Sequence, residues 1–145
     1  MTVETQKKEI HLYIQQVCIG KRKPICRRVP FNTSNVIMHW AKKAEWKKAW
    51  QDEVGWAFLT KRNEFGQLPL KKPSICILIK STHLKDKDGL YTSTKPLWDG
   101  LKNVNVILDD NPKNVKMEVK QTKVKHRNEE GVEIIIKDRN NIINN

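Results

Sequence analysis

Ser74 to Lys113, SICILIKSTHLKDKDGLYTSTKPLWDGLKNVNVILDDNPK, carries most of the fold in one stretch. Ser74–Lys80 is a nearly continuous apolar run of strand length, the pattern of a central strand in a sheet. It delivers the chain to THLKDKDGL, so Asp86 and Asp88 lie just beyond the strand's C-terminal end, where open α/β sheets often place their sites. From about Thr94 a helix begins, with Pro96 tolerated in its first turn. Leu97, Leu101 and Val104 form its apolar stripe, while Lys95 and Asp99, spaced i and i+4, share roughly the opposite face. A double acid, Asp109-Asp110, follows in a turn closed by Asn111-Pro112. Clustered carboxylates repel one another unless a cation offsets their charge. Acids on a segment that leaves a strand, forms a helix and turns back can converge on one hard cation of the Mg²⁺ type. Each half alone reads as well as a solvated loop or a plain turn, and Lys95–Asp99 as a surface pair worth about 0.3–0.5 kcal/mol. The two halves at this spacing favour a site.

Outward from this stretch the chain is regular. Ile10–Val17 alternates Ile10, Leu12 and Ile14, the period of a first strand, after a polar, frayed 1–9. GKRKPICRRVP then places Lys21, Arg22, Lys23, Arg27 and Arg28 around Pro24 and Pro30, a loop and a candidate phosphate-contacting arm. Asn32, Thr33 or Ser34 can cap a long helix to about Thr60. Val36, Trp40, Lys43, Lys47, Trp50, Val54 and Phe58 make its predicted core stripe, with Trp46 and Trp56 elsewhere on the wheel, free for a second contact such as a dimer partner. His39 reads as a structural or substrate-side residue rather than a general base. After a linker over 61–73 and the central stretch, Val115–Val124 reads as a strand, KHRNEEG as a polar hairpin loop and Val132–Ile136 as the last strand. A loose tail covers 138–145. The order β, long α, β, α, β, β defines an α/β (α+β) single domain over 1–145. Its sheet is mixed and has about four strands, with a long N-terminal helix and a shorter one.

Composition narrows the partners. The chain has 145 residues and a formal net charge of +12, an excess that favours a polyanion. No apolar run approaches the length of a membrane span, and MTVETQKKEI lacks a signal-peptide core, so a cytoplasmic protein without a membrane partner is expected. Cys18, Cys26 and Cys76 contain no C-x-x-C pair and read as reduced thiols rather than a zinc site or disulfide framework. The four histidines lack ligand spacing.

The central pattern resembles the RusA-type Holliday junction endonucleases. Asp86-Lys87-Asp88-Gly89-Leu90, then Lys95-Pro96-Leu97-Trp98-Asp99-Gly100-Leu101, then Val106-Ile107-Leu108-Asp109-Asp110-Asn111-Pro112-Lys113 match that family's Asp-x-Asp-Asn-Leu, its lysine and Asp-x-Leu, and its hydrophobic pair with Asp-Asp. Ser34 to Lys43 is similar to the family's N-terminal segment, and the likeness runs from about residue 10 to 137. Two departures stand out: Gly89 replaces the family asparagine, and Lys95 lies seven residues beyond Asp88. The resemblance implies a homodimeric endodeoxyribonuclease that resolves four-way DNA junctions by paired phosphodiester cleavage. It uses Mg²⁺, with Mn²⁺ as a substitute, and no small-molecule cofactor. It makes Asp86, Asp88 and Asp110 catalytic metal ligands and Lys95 a catalytic assistant, with Asp99 and Asp109 as auxiliary acids. Lys21, Arg22, Lys23, Arg27 and Arg28 then hold DNA phosphates. A prokaryotic cell, with a phage or prophage source, is the setting such members imply. The alternative is a junction-binding protein on the same fold with little or no cleavage.

Overall fold

A computed structural model describes residues 9–31, 38–64, 68–70, 72–107 and 115–138. In chain order its elements are β1 (Glu9–Ile14), β2 (Val17–Ile19), β3 (Ile25–Arg27), α1 (Trp40–Thr60), β4 (Pro73–Ser81), α2 (Lys87–Ser93), α3 (Lys95–Asn103), β5 (Lys116–Lys123) and β6 (Gly131–Asp138), with short 3-10 turns at Arg62–Glu64 and Arg127–Glu129. This is the expected mixed α/β domain. Four strands form one sheet in the order β1-β6-β4-β5, and β2 and β3 form a separate antiparallel hairpin.

Alternation builds the core. Leu12 faces Ile134, Ile134 faces Ile77, and Ile77 faces Val119, so one apolar row crosses all four strands. Rows above and below add Ile10, Ile136 and Ile75, then Ile14, Val132 and Ile79, all buried. Helices α1 and α3 pack against one another, and α1 also lies on β1 and β2. The alternate residues, His11, Tyr13, Glu133, Ile135, Cys76 and Leu78 among them, line the other face and are partly exposed or exposed. β4 is an inner strand, as its apolar run predicts, but only its odd-numbered residues are fully buried.

Two glycines face the contact of α1 with α3, and the contact depends on one of them, Gly100. A Cβ on Gly100 would lie 2.9 Å from Val54 Cβ and 3.0 Å from the Gln51 carbonyl oxygen, so the helix backbones approach more closely than any side chain permits. Gly55 meets only the tip of Val104, at 3.3 Å from Cγ1.

Several expectations are corrected. The buried ladder of α1 is Trp46, Trp50, Val54 and Phe58, not the one beginning at Trp40. Trp40 is 75% exposed, whereas Trp46 is buried edge-on to Phe31, with ring centroids 5.8 Å apart. Both ladders share Trp50, Val54 and Phe58; Lys43 and Lys47 interrupt the one that lost, and four-residue steps back from Trp50 reach Trp46. Trp56 is exposed, as expected. His39 caps α1, its Nδ1 accepting from the Ala41 amide at 3.1 Å; the earlier start at Ser34 and Val36 lies outside the described residues.

β5 and β6 are not a hairpin pair. β6 lies between β1 and β4, and β5 runs parallel to β4 at the edge. The sequences account for this: KMEVKQTK is polar at every second position, suiting an edge, whereas GVEIIIKD buries Val132, Ile134 and Ile136 and half-buries Ile135. The first strand stops at Ile14 and the chain re-enters extended structure at Val17 in the hairpin. Glu9 and Asp138, placed in flexible ends by sequence, are in register with Lys137 and Pro73. Cys18 and Cys26, read as reduced thiols, are directly opposed in the hairpin and joined by a disulfide. Cys76 is free, and burial first, then Glu118, pushes its thiol pKa up.

Candidate active site and basic face

The chain is fixed in place before it reaches the acids. The Val124 amide donates to the Ser81 carbonyl at 3.0 Å, and Ser81 Oγ donates to the His83 carbonyl at 2.9 Å. The Thr82 amide and hydroxyl both donate to Glu130 Oε2 at 2.8 Å. Burial alone would raise the Glu130 pKa, but the Thr82 and Ser81 donors and the nearby Arg127 outweigh it and hold the carboxyl below its usual range. Lys85 is clamped by Gln121, whose Oε1 accepts from the Lys85 amide at 3.0 Å and whose Nε2 donates to the Lys85 carbonyl at 2.7 Å. The Lys85 ammonium donates to the Pro30 carbonyl. Its burial, with help from the Arg27 charge, lowers its pKa.

Asp86 follows at once as the N-cap of α2. Its backbone is extended, at φ −66° and ψ 166°, and Oδ1 accepts from the Gly89 amide at 2.7 Å. Asp88 lies in the first turn and is exposed. Negative charge at that end complements the partial positive charge of the helix terminus, which gives the acid pair a structural reason of its own. The helix was not foreseen in the sequence, where this segment read as loop. Gly89 is buried inside it. Among the described residues Gly20 is the only glycine with positive φ, so Gly89 stands in ordinary helical backbone.

Thr94 ends α2 and caps α3 without a break, and Pro96 stands in the first turn of α3 as expected. Leu97 and Leu101 are fully buried and Val104 packs on the core, so the predicted stripe is present. Lys95 and Asp99 do share a face: Nζ lies 3.7 Å from Oδ1, and Lys102 approaches the same oxygen at 3.4 Å. Asp109 and Asp110 lie outside the described residues. Among the described residues no three His, Cys, Asp or Glu side chains gather at a metal-binding distance. Asp86 and Asp88 by themselves supply hard oxygen donors of the kind Mg²⁺ takes, an ion that binds through one or two carboxylates and keeps several waters. Only Oδ1 of Asp86 is engaged in the cap.

The five cations of the predicted arm divide into two groups. Lys21, Arg22 and Lys23 are exposed at the tip of the β2–β3 hairpin. Arg27 and Arg28 lie at its base and are half-buried. The Arg27 guanidinium lies 4.2 Å from the centroid of the Phe31 ring and 5.3 Å from that of Trp46, while Arg28 donates to the Asn128 carbonyl at 3.3 Å. Sequence reasoning did not single out Arg127, Glu130, Gln121 or Lys85. Only Lys85 carried a local signal, its place next to Asp86.

No helix among the described residues is long and apolar enough to cross a membrane. No protein-family model and no curated protein matches the chain.

Proposed function

We propose that this chain is a metal-dependent endodeoxyribonuclease that cleaves four-way DNA junctions, as the RusA-type enzymes it resembles do. One observation carries the reading: Asp86 caps α2 and Asp88 lies in its first turn, beyond the exit of an inner strand, with the Lys95–Asp99 face on the helix that follows without a break. A net charge of +12 supports a nucleic-acid partner for those acids.

On this reading Asp86 and Asp88 hold Mg²⁺ or Mn²⁺, with Asp110 as the third ligand that the resemblance supplies. The ion would acidify a bound water and offset charge growing on the phosphate oxygens. Asp86 presents its carboxylate at a fixed angle because the cap bond to Gly89 and the Gln121 clamp on Lys85 hold its backbone. Lys95 places a positive charge at the start of α3, where it can stabilise developing charge on a phosphate; Asp99 orients it through an ion pair in which Lys102 also takes part. Asp109 serves as an auxiliary acid. The cations of the hairpin hold backbone phosphates, contacts that position DNA without reading sequence. Two chains related by a two-fold axis would present two such sites to the two symmetric strands of a junction.

A junction-binding protein without cleavage is the second reading, favoured by the capping role of Asp86, which explains that acid without chemistry. Incubating the chain with a labelled four-way junction or a linear duplex, with and without Mg²⁺, separates the two. Paired nicks in the junction alone support the nuclease. Junction binding without nicks supports the second reading, and loss of both refutes the shared premise.

A further inference from the structure

A cavity of about 310 Å³ opens between the hairpin base and the turn that precedes β6; Arg27, Arg28, Arg127, Gln16 and Glu130 line it. Three guanidinium groups come from two distant parts of the chain, and among the described residues none forms an ion pair with a carboxylate. Glu130, the only acid among the described lining residues, already accepts from the Thr82 amide and hydroxyl, both at 2.8 Å. Three guanidinium charges face one carboxylate, so the described lining carries a net positive charge.

The cavity is also pre-shaped. Phe31 and Trp46 hold the Arg27 guanidinium, and the Asn128 carbonyl holds that of Arg28. The hairpin base is braced by the Cys18–Cys26 bond, and Cys26 forms part of the wall. Arginine presents a planar fork of donors that matches phosphate oxygens bidentately, and fixing that fork beforehand lowers the entropy lost on binding.

We propose that this cavity is a seat for a phosphate group, held by Arg27, Arg28 and Arg127. Resting on the nuclease reading above, the group is a non-scissile backbone phosphate of the DNA. The seat and the acids share one frame: Thr82 binds Glu130 on the cavity side, Lys85 binds Pro30 at the hairpin base, and Asp86 is the next residue. A phosphate seated here would set the register of the DNA strand on the frame that carries Asp86 and Asp88. The hairpin tip, by contrast, gives loose attraction through exposed lysines and Arg22.

The test uses the full chain in EDTA, so that no cleavage intervenes. Fluorescence anisotropy with a labelled junction and with a linear duplex is followed from low to moderate KCl, alongside titration of inorganic pyrophosphate at constant ionic strength. Arg127→Gln, on the exposed turn, is the variant least able to disturb folding; Arg27→Gln/Arg28→Gln/Arg127→Gln is compared with it, with melting curves for each. For one phosphate seated, the slope of log affinity against log salt should fall by about 1 in the triple variant. DNA affinity should fall roughly tenfold or more, and pyrophosphate binding should be lost. Arg127→Lys should keep most of the slope and lose affinity through its missing second donor. If the wild-type chain binds pyrophosphate but no DNA, and the triple variant binds neither, the seat stands and the nuclease reading fails. If Arg127→Gln and a folded triple variant bind DNA and pyrophosphate as the wild type does, the seat is refuted whatever the fate of the nuclease reading.

Discussion

Gly100→Ala should destabilise the chain, and the cost follows from the contact it would create. Its Cβ would meet Val54 Cβ at 2.9 Å and the Gln51 carbonyl oxygen and Cα at 3.0 and 3.2 Å. Two of these three atoms belong to the backbone of α1, and the third is the branch point of a fully buried valine, so none can swing aside. Overpacking of this kind costs about 1–3 kcal/mol. Alanine recovers at most about 1 kcal/mol of helix propensity over glycine. Taking the middle of that range, the net expectation is a loss of about 1 kcal/mol, which at this chain length lowers the melting temperature by roughly 3–5 °C. Gly55→Ala is the internal control, because its Cβ would meet only Val104 Cγ1, at 3.3 Å, the movable tip of a partly exposed side chain. That variant should melt within a degree or two of the wild type or above it. Calorimetry of both proteins at pH 7 measures the difference. A Gly100→Ala protein as stable as the wild type, or a Gly55→Ala protein less stable than Gly100→Ala, would refute the close approach of the two helices. Because α3 carries Lys95 and Asp99, the same variant should also reduce nuclease activity if the proposed site is correct.

Asp86 can be divided into its two roles: Asp86→Asn should keep the cap, whereas Asp86→Ala should lose about 1 kcal/mol of stability. Both should abolish cleavage, and an Asn variant that still cuts would remove Asp86 from the metal site. The hydrogen bond to Glu133 raises the His11 pKa above 6.5, with burial opposing and Glu9 adding, so its stabilisation is full below 6.5 and fades as pH rises through the folded-state value. The melting temperature should therefore fall between pH 6 and 8 by more in the wild type than in His11→Gln; parallel curves would refute the coupling. The Cys18–Cys26 bond closes a short loop, with a sequence separation of 8, and by the chain-entropy account contributes about 2–3 kcal/mol. Melting with a phosphine reductant should show that loss in the wild type and none in Cys18→Ser/Cys26→Ser; equal sensitivity would mean that the bond contributes nothing.

Much of the fold was legible because the relevant signal is local. Ile10, Leu12 and Ile14 alternate, Ile75–Ile79 is apolar throughout, and Leu97 and Leu101 repeat at helical spacing; each pattern survives in the structure. What failed depends on which element meets which. Within α1, Lys43 and Lys47 already weaken the Trp40 ladder, and the contact of Trp46 with Phe31, which follows the hairpin, completes the choice. KHRNEEG looks like a hairpin loop in isolation, and only the burial demanded by Ile134, Ile135 and Ile136 moves β6 inside the sheet, past β4. Cys18 and Cys26 were judged by spacing alone, yet the hairpin geometry sets their Cα atoms 4.0 Å apart. The acid pair and the Lys95–Asp99 pair were visible as text. The residues that hold them still were not, since Gln121 and Glu130 reach the 81–86 segment from 36 and 48 residues away.

Gly89 changes meaning once Asp86 is seen as a cap. In the sequence, glycine in place of asparagine reads as a loss, a missing hydrogen bond and a looser loop. In the structure Gly89 is a buried residue of a helix whose amide donates to Asp86, a bond that any residue at this position can make through its backbone. The order sought from an asparagine side chain is supplied instead by the main chain, by the Gln121 clamp one residue earlier and by the Glu130 anchor at Thr82. A side chain added at a buried position has to find room and a polar partner, so Gly89→Asn is expected to destabilise α2 rather than sharpen the acid pair. The capping bond also fixes one carboxylate oxygen of Asp86 without neutralising the group. A structural role and a metal-binding role are therefore compatible in one residue: the first sets the direction from which the second is offered.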